Sequence, residues 1–145
     1  MRVESVEHVF VDEFPDSLHP GRLYISIPYA SATHLCCCGC GNQVVTPLTP
    51  TDWRLTYDGE TVSLYPSIGN WSFDCLSHYW IKRNRVQWAK QWSRDEIQAG
   101  REKDRIAKGI YYRSPRVTER SEPQAAPRPW WLSLWRRFSR QRRKS

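Results

Sequence analysis

Apolar and polar residues alternate along most of the first ninety positions, and that alternation predicts short β-strands. Val9-Phe10-Val11 is a first strand candidate. Leu23, Ile25 and Ile27 alternate with Tyr24 and Ser26, the period of a half-buried strand. Thr33 to Cys36 predicts another, and Gln43 to Pro47 a further one. Trp53, Leu55 and Tyr57 alternate, then Asp58-Gly59, then Val62 and Leu64; Asp-Gly between alternating runs predicts a hairpin. Tyr65 to Asp74 is rich in turn formers but carries Ile68, Trp71 and Phe73, so it predicts a loop pinned onto the domain. His78 to Ile81 and Val86 to Trp88 complete the strands, joined by Lys82-Arg83-Asn84-Arg85.

The pattern changes at Ser93. Ser93 with Glu96 three residues on predicts a capping box and a helix from about Arg94 to Lys108, stopping at Gly109. Its apolar face is thin (Ile97, Ala99, Ile106), so the helix is expected to be exposed or frayed. Prolines and polar residues then predict a linker over 110–129. In the tail, 130–145, Trp130, Trp131, Leu134, Trp135 and Phe138 share one helical face among arginines. That pattern suits an interfacial helix on an anionic membrane surface; docking to a partner groove or RNA, or a disordered basic tail, are the alternatives.

The expected organisation is a β domain over 1–92, a helix over 93–109, the linker and the tail. A β domain of this size buries a modest core, so a metal clip would matter to its stability.

The net charge of +7 is unevenly placed. Residues 128–145 hold seven of the 22 basic residues and no acid, and the remaining 15 match the 15 acids. The basic character belongs to the tail and gives no reason to read the domain as a nucleic-acid binder. The N-terminus has no apolar signal region, and no apolar run approaches the roughly 20 residues of a membrane span. Five cysteines, four crowded into five positions, suit a reducing cytoplasm better than a disulfide framework.

Those cysteines carry the strongest chemical signal. Cys36, Cys37, Cys38 and Cys40 precede a β-rich segment, and Cys75 and His78 follow it. Two clusters of soft ligands so separated form the usual arrangement of a Zn2+ site. In extended chain, residues two apart face the same way, so Cys36, Cys38 and Cys40 converge while Cys37 turns aside. Cys75 and His78 supply the remainder, leaving five groups for four places. A Cys37-x-x-Cys40 knuckle, iron–sulfur ligation and merely buried thiols are the competing readings. Gly39 and Gly41 would let the backbone turn tightly around a metal.

A second chemistry rests on serines. Ser67 lies in Pro66-Ser67-Ile68-Gly69-Asn70, and Ser72 and Ser77 flank Cys75. A serine becomes a nucleophile only beside a base and oxyanion donors; His34 or His78 could be the base, and Gly69 and Asn70 the donors. No general hydrolase signature such as Gly-x-Ser-x-Gly is present, and loop serines making turn hydrogen bonds are the plainer reading.

The run His34-Leu35-Cys36 through Gly41, followed by Val62-Ser63-Leu64, then Pro66 to Phe73, Cys75 and Ser77 to Ile81, resembles the BubE-like family of small bacterial proteins. These are encoded beside ubiquitin-like proteins and their E1- and E2-type enzymes. The resemblance spans about residues 8–92 and leaves out the tail. It implies a serine-type peptidase acting on the ubiquitin-like protein, with Ser67 or Ser77 as nucleophile and His34 or His78 as base. Cys37 departs from the family pattern, which expects a non-ligand there.

The expected protein is therefore mostly β (α+β): a small zinc-stapled domain of short antiparallel strands and hairpins, one helix, and a basic amphipathic C-terminal tail. The expected function is a zinc-binding peptidase of a bacterial ubiquitin-like conjugation pathway. The alternative is a non-catalytic, E3-like zinc-ribbon or treble-clef adaptor binding the modifier, the E2 or the target.

Overall fold

Eight strands form in the order the alternation predicts, and they assemble into two four-stranded sheets. The computed structural model describes residues Met1–Ser114. Most of the expected linker and all of the expected tail lie outside the described residues.

The first sheet holds β1 (Glu7–Phe10), β2 (Arg22–Ser26), β3 (Ser31–Leu35) and β4 (Gln43–Pro47) in that order. The second holds β5 (Arg54–Tyr57), β6 (Val62–Gly69), β7 (His78–Lys82) and β8 (Arg85–Trp88). All neighbours are antiparallel except β1 and β2, which pair in parallel. That exception follows from the path of the N-terminus. Ser5 bridges Arg85 at the edge of the second sheet, and the chain then runs on as β1 beside β2. Val6 N–H donates to the Asn84 carbonyl and Val86 N–H to the Glu4 carbonyl, at 2.8 and 2.9 Å. The first ten residues thus stitch the two sheets together.

The inward faces make one core. Leu23, Ile25, Ala32 and Val44 come from the first sheet; Val62, Leu64, Ile68, Tyr79, Ile81 and Val86 come from the second. β2 departs from its half-buried expectation, because Tyr24 and Ser26 are buried too. The Ser26 hydroxyl donates to the Asp12 carbonyl, so the segment after β1 folds across it.

Two hairpins close as their residues dictate. Asp58 accepts from the Glu60 and Thr61 N–H groups, and Gly59 takes φ 98°. Arg83 and Asn84 both take positive φ, the demand of a two-residue turn whose twist matches its strands.

Two boundaries differ from expectation. The predicted loop after Leu64 is strand as far as Gly69, where Ile68 is buried and pairs with Tyr79. The register shifts between Leu64 and Ile68, and this irregularity is why the run lacks a clean alternation. The helix α1 (Arg94–Arg113) passes through Gly109. One glycine costs a helix only about 1 kcal/mol, whereas Pro115 forces Ser114 out of helical conformation, to ψ 124°. The capping box at Ser93 and Glu96 is present, and no residue of α1 is buried. Lys108 pairs with Asp52 at 2.7 Å, tying the helix to the turn before β5.

Candidate functional site

Two centres lie on opposite faces of the second sheet. Period-two alternation along β7 separates them: Tyr79 and Ile81 face the core, so His78 and Trp80 face the other way.

On the core side, four thiols converge. Cys36, Cys38 and Cys40 lie in the turn that links β3 and β4, and Cys75 in the turn that links β6 and β7. Their sulfurs all lie within 4.8 Å of one another. Individual separations are 3.4 Å for Cys36–Cys38, 4.0 Å for Cys36–Cys75 and 3.8 Å for Cys40–Cys75. Metal–sulfur bonds of about 2.3 Å in a tetrahedron give sulfur–sulfur edges of about 3.8 Å, so the cluster matches a four-thiolate site. Gly39 and Gly41 sit at φ 87° and 80°, the left-handed region that lets the turn fold back on itself. A Cβ on Gly39 would fall 2.6 Å from the Met1 carbonyl oxygen, because the N-terminus crosses over this turn.

The surroundings suit thiolate charge. Asn70 Nδ2 donates to Ser77 Oγ at 2.8 Å, which leaves the Ser77 proton for Cys36 Sγ, 3.1 Å away. Asn42 Nδ2 donates to Cys40 Sγ at 3.3 Å. With the Asn42 main-chain N–H, its strongest influence, this holds the Cys40 thiol down at about 7. Burial pushes the Cys36 and Cys38 thiols up, a penalty that a bound cation would reverse. Cys37 stands outside the group. It is buried beside the Tyr79 hydroxyl, and burial pushes its thiol up to about 12.

His78, expected among the ligands, is not in this group either. Its face of β7 points away from the sulfurs, and both ring nitrogens are engaged elsewhere. Nδ1 lies 2.8 Å from the Lys90 carbonyl oxygen and Nε2 lies 2.9 Å from Ser67 Oγ. A carbonyl only accepts, so Nδ1 carries the proton and Nε2 is left to accept from the Ser67 hydroxyl. The ladder sets up this pairing. Gly69 lies opposite His78, and Ser67, two residues earlier on the same face of β6, meets the ring diagonally. Rings from Trp71, Trp92 and Trp80 surround the imidazole, with centroids 5.0, 5.3 and 5.6 Å away. Ser67 opens onto a groove of about 320 Å³ between β6 and α1.

The other expected residues are placed apart from this pair. Ser77 is buried beside Cys36, with no histidine among its partners. His34 is buried against the Tyr79 hydroxyl at 2.9 Å, and burial lowers its pKa to about 4. Asn70, expected as an oxyanion donor, spends its side-chain N–H groups on Ser77, Tyr79 and Cys36. The Lys90 carbonyl escaped the sequence reading altogether, since a main-chain acceptor leaves no mark on residue type.

Among the described residues no helix is long and apolar enough to cross a membrane. No curated protein and no solved structure matches the chain. A family model does match, over more than half of the chain, and the matched stretch takes in the four clustered cysteines, Ser67 and His78. The chain belongs to the family described as bacterial ubiquitination-like system serine protease (BubE), whose model covers residues 10–89.

Proposed function

We propose that this protein is a serine peptidase that processes or removes the ubiquitin-like modifier of its conjugation system, with Ser67 as nucleophile and His78 as base. One observation carries the reading: the chain Ser67 Oγ, His78 Nε2, His78 Nδ1, Lys90 carbonyl, with links of 2.9 and 2.8 Å. It has the logic of nucleophile, base and orienting acceptor. Ser67 Oγ attacks the scissile carbonyl carbon as its proton passes to His78 Nε2. The C–N bond breaks, His78 returns the proton to the leaving amine, and water then hydrolyses the acyl-serine by the same route.

Zn2+ is the metal proposed for Cys36, Cys38, Cys40 and Cys75, since four thiolates in a tetrahedron suit it and leave no open position for catalysis. Its role is structural: it would pin the turn between Ser67 and His78. Five cysteines that form no disulfide support a reducing cytoplasm as its compartment. E1- and E2-type enzymes are its pathway partners, and the tail over 130–145 is its contact with anionic membrane.

The test is incubation with the modifier's precursor. Wild type, Ser77→Ala and His34→Ala should cleave it, while Ser67→Ala and His78→Ala should lose at least about a thousandfold in kcat at unchanged metal content. No cleavage by wild type, together with tight E2 binding, would favour the E3-like adaptor. Deleting residues 128–145 should abolish binding to anionic vesicles.

A further inference from the structure

The strand that carries Ser67 is only half covered on one side. β5 pairs with Val62 to Tyr65, the first four residues of an eight-residue strand. Beyond Tyr65 its line is not continued, because Trp53 N–H turns away to the Pro47 carbonyl at 3.0 Å. Pro66 to Gly69 therefore forms an open edge inside a sheet, and the groove runs along it.

That edge presents usable hydrogen-bonding groups. Asn70 N–H donates to the Ser77 carbonyl at 2.9 Å, so the bonds toward β7 fall on Asn70. In an antiparallel pair such residues alternate with residues whose N–H and C=O point the other way. Gly69 is the alternate residue, and its main-chain groups face the groove. Outside the ladder no described group bonds to the Gly69 N–H.

We infer that the substrate segment carrying the scissile carbonyl binds as an added β-strand along Pro66 to Gly69, taking the place in the ladder that β5 leaves. The inference rests on the peptidase reading, since Ser67 on this same edge is what calls for an extended peptide there. Main-chain pairing is a known mode of peptide capture. The groove's charges support main-chain recognition over side-chain charge. Two acids and two bases line it, so it carries no net charge, and Lys108 reaches both Asp52 and Asp104, at 2.7 and 3.0 Å. The occupant is thus an extended, uncharged stretch of the modifier. Trp71 limits its bulk near Gly69: a Cβ on Gly69 would stand 2.4 Å from the Trp71 ring, so that space is already filled.

The experiment uses full-length Ser67→Ala protein and a peptide of the modifier's last twelve residues extended by two residues beyond the scissile bond. N-methylating the peptide one residue at a time removes one main-chain donor per variant. Binding should weaken about five- to tenfold at every second position and little at the positions between. Amide exchange at Gly69 should slow by at least about tenfold on saturation, and affinity should change less than about twofold between 50 and 300 mM salt. Uniform tolerance of N-methylation, unchanged exchange at Gly69, or absence of binding would overturn the added strand. Its failure is distinguishable from that of the peptidase reading. Cleavage by wild type with methyl-tolerant binding sinks only the strand, whereas alternate-position binding with no cleavage by wild type sinks the chemistry.

Discussion

Cys75 and His78 are three residues apart and belong to different centres: Cys75 Sγ lies 3.8 Å from Cys40 Sγ, His78 Nε2 2.9 Å from Ser67 Oγ. The turn between Asn70 and Ser77 joins the centres mechanically. It closes through the Asn70 N–H and Ser77 carbonyl, is held at Cys75 by the sulfur cluster, and delivers His78 opposite Gly69. Holding Cys75 therefore restrains the turn that leads from β6 into His78.

Metal removal should therefore act on both stability and cleavage. Chelator-treated protein is expected to melt at least about 10 °C lower, because a structural site contributes several kcal/mol to a small domain. Cleavage should fall with it and return on adding Zn2+. Cys75→Ala should bind no metal, while Cys37→Ala should keep a full complement. Differential scanning fluorimetry and a metal count on each variant check this.

Ser77→Ala separates the two serines. The Ser77 hydroxyl faces Cys36 Sγ at 3.1 Å, so its loss should weaken metal affinity by about 10- to 100-fold. At saturating Zn2+ the variant should cleave at close to the wild-type rate. Competition with a chromogenic chelator gives the first quantity and a progress curve the second. A variant inactive with its metal in place would move the nucleophile to Ser77.

The hairpin between β5 and β6 gives a pH signature. The Thr61 main-chain N–H, the Thr61 hydroxyl and the Glu60 N–H hold the Asp58 carboxyl down at about 2. A depressed carboxyl stabilises the turn above its unfolded value of about 4 and loses that contribution as pH falls toward 2. Carboxyl carbon shifts of Asp58 should titrate with a midpoint near 2, and Thr61→Ala should raise it. A midpoint near 4 in the folded protein would remove the turn's charge-assisted bonds.

Gly100→Ala tests the wall of the groove. Alanine favours the helix by about 1 kcal/mol, but its Cβ would stand 2.8 Å from the Trp92 ring. Trp92 is partly exposed and can move, so stability should change by less than about 1 kcal/mol. Its stack on Trp71, now 5.4 Å between centroids, should be lost, with a shift in tryptophan emission and a raised KM. Unchanged emission would mean that the ring does not rest on Gly100.

Residue order alone fixes the features that short-range physics controls. Alternation marked the strands, Asp58-Gly59 the hairpin, Ser93 and Glu96 the start of the helix, and cysteine spacing the convergence of Cys36, Cys38 and Cys40. Each depends on neighbours within a few residues, where side-chain direction follows from backbone period. The partners of His78, the extension of β6 through Ser67 and the parallel pairing of β1 came instead from long-range packing. The parity of Tyr79 and Ile81 was a usable signal that His78 faces away from the core. Yet the Cys75–His78 spacing matched a ligand pair equally well, and local pattern could not choose between them. The choice belongs to ladder register, which sets Gly69 against His78, and to a carbonyl at Lys90. Both are contacts between residues distant in the chain, and the identity of the residues there does not reveal where the backbone will bring them.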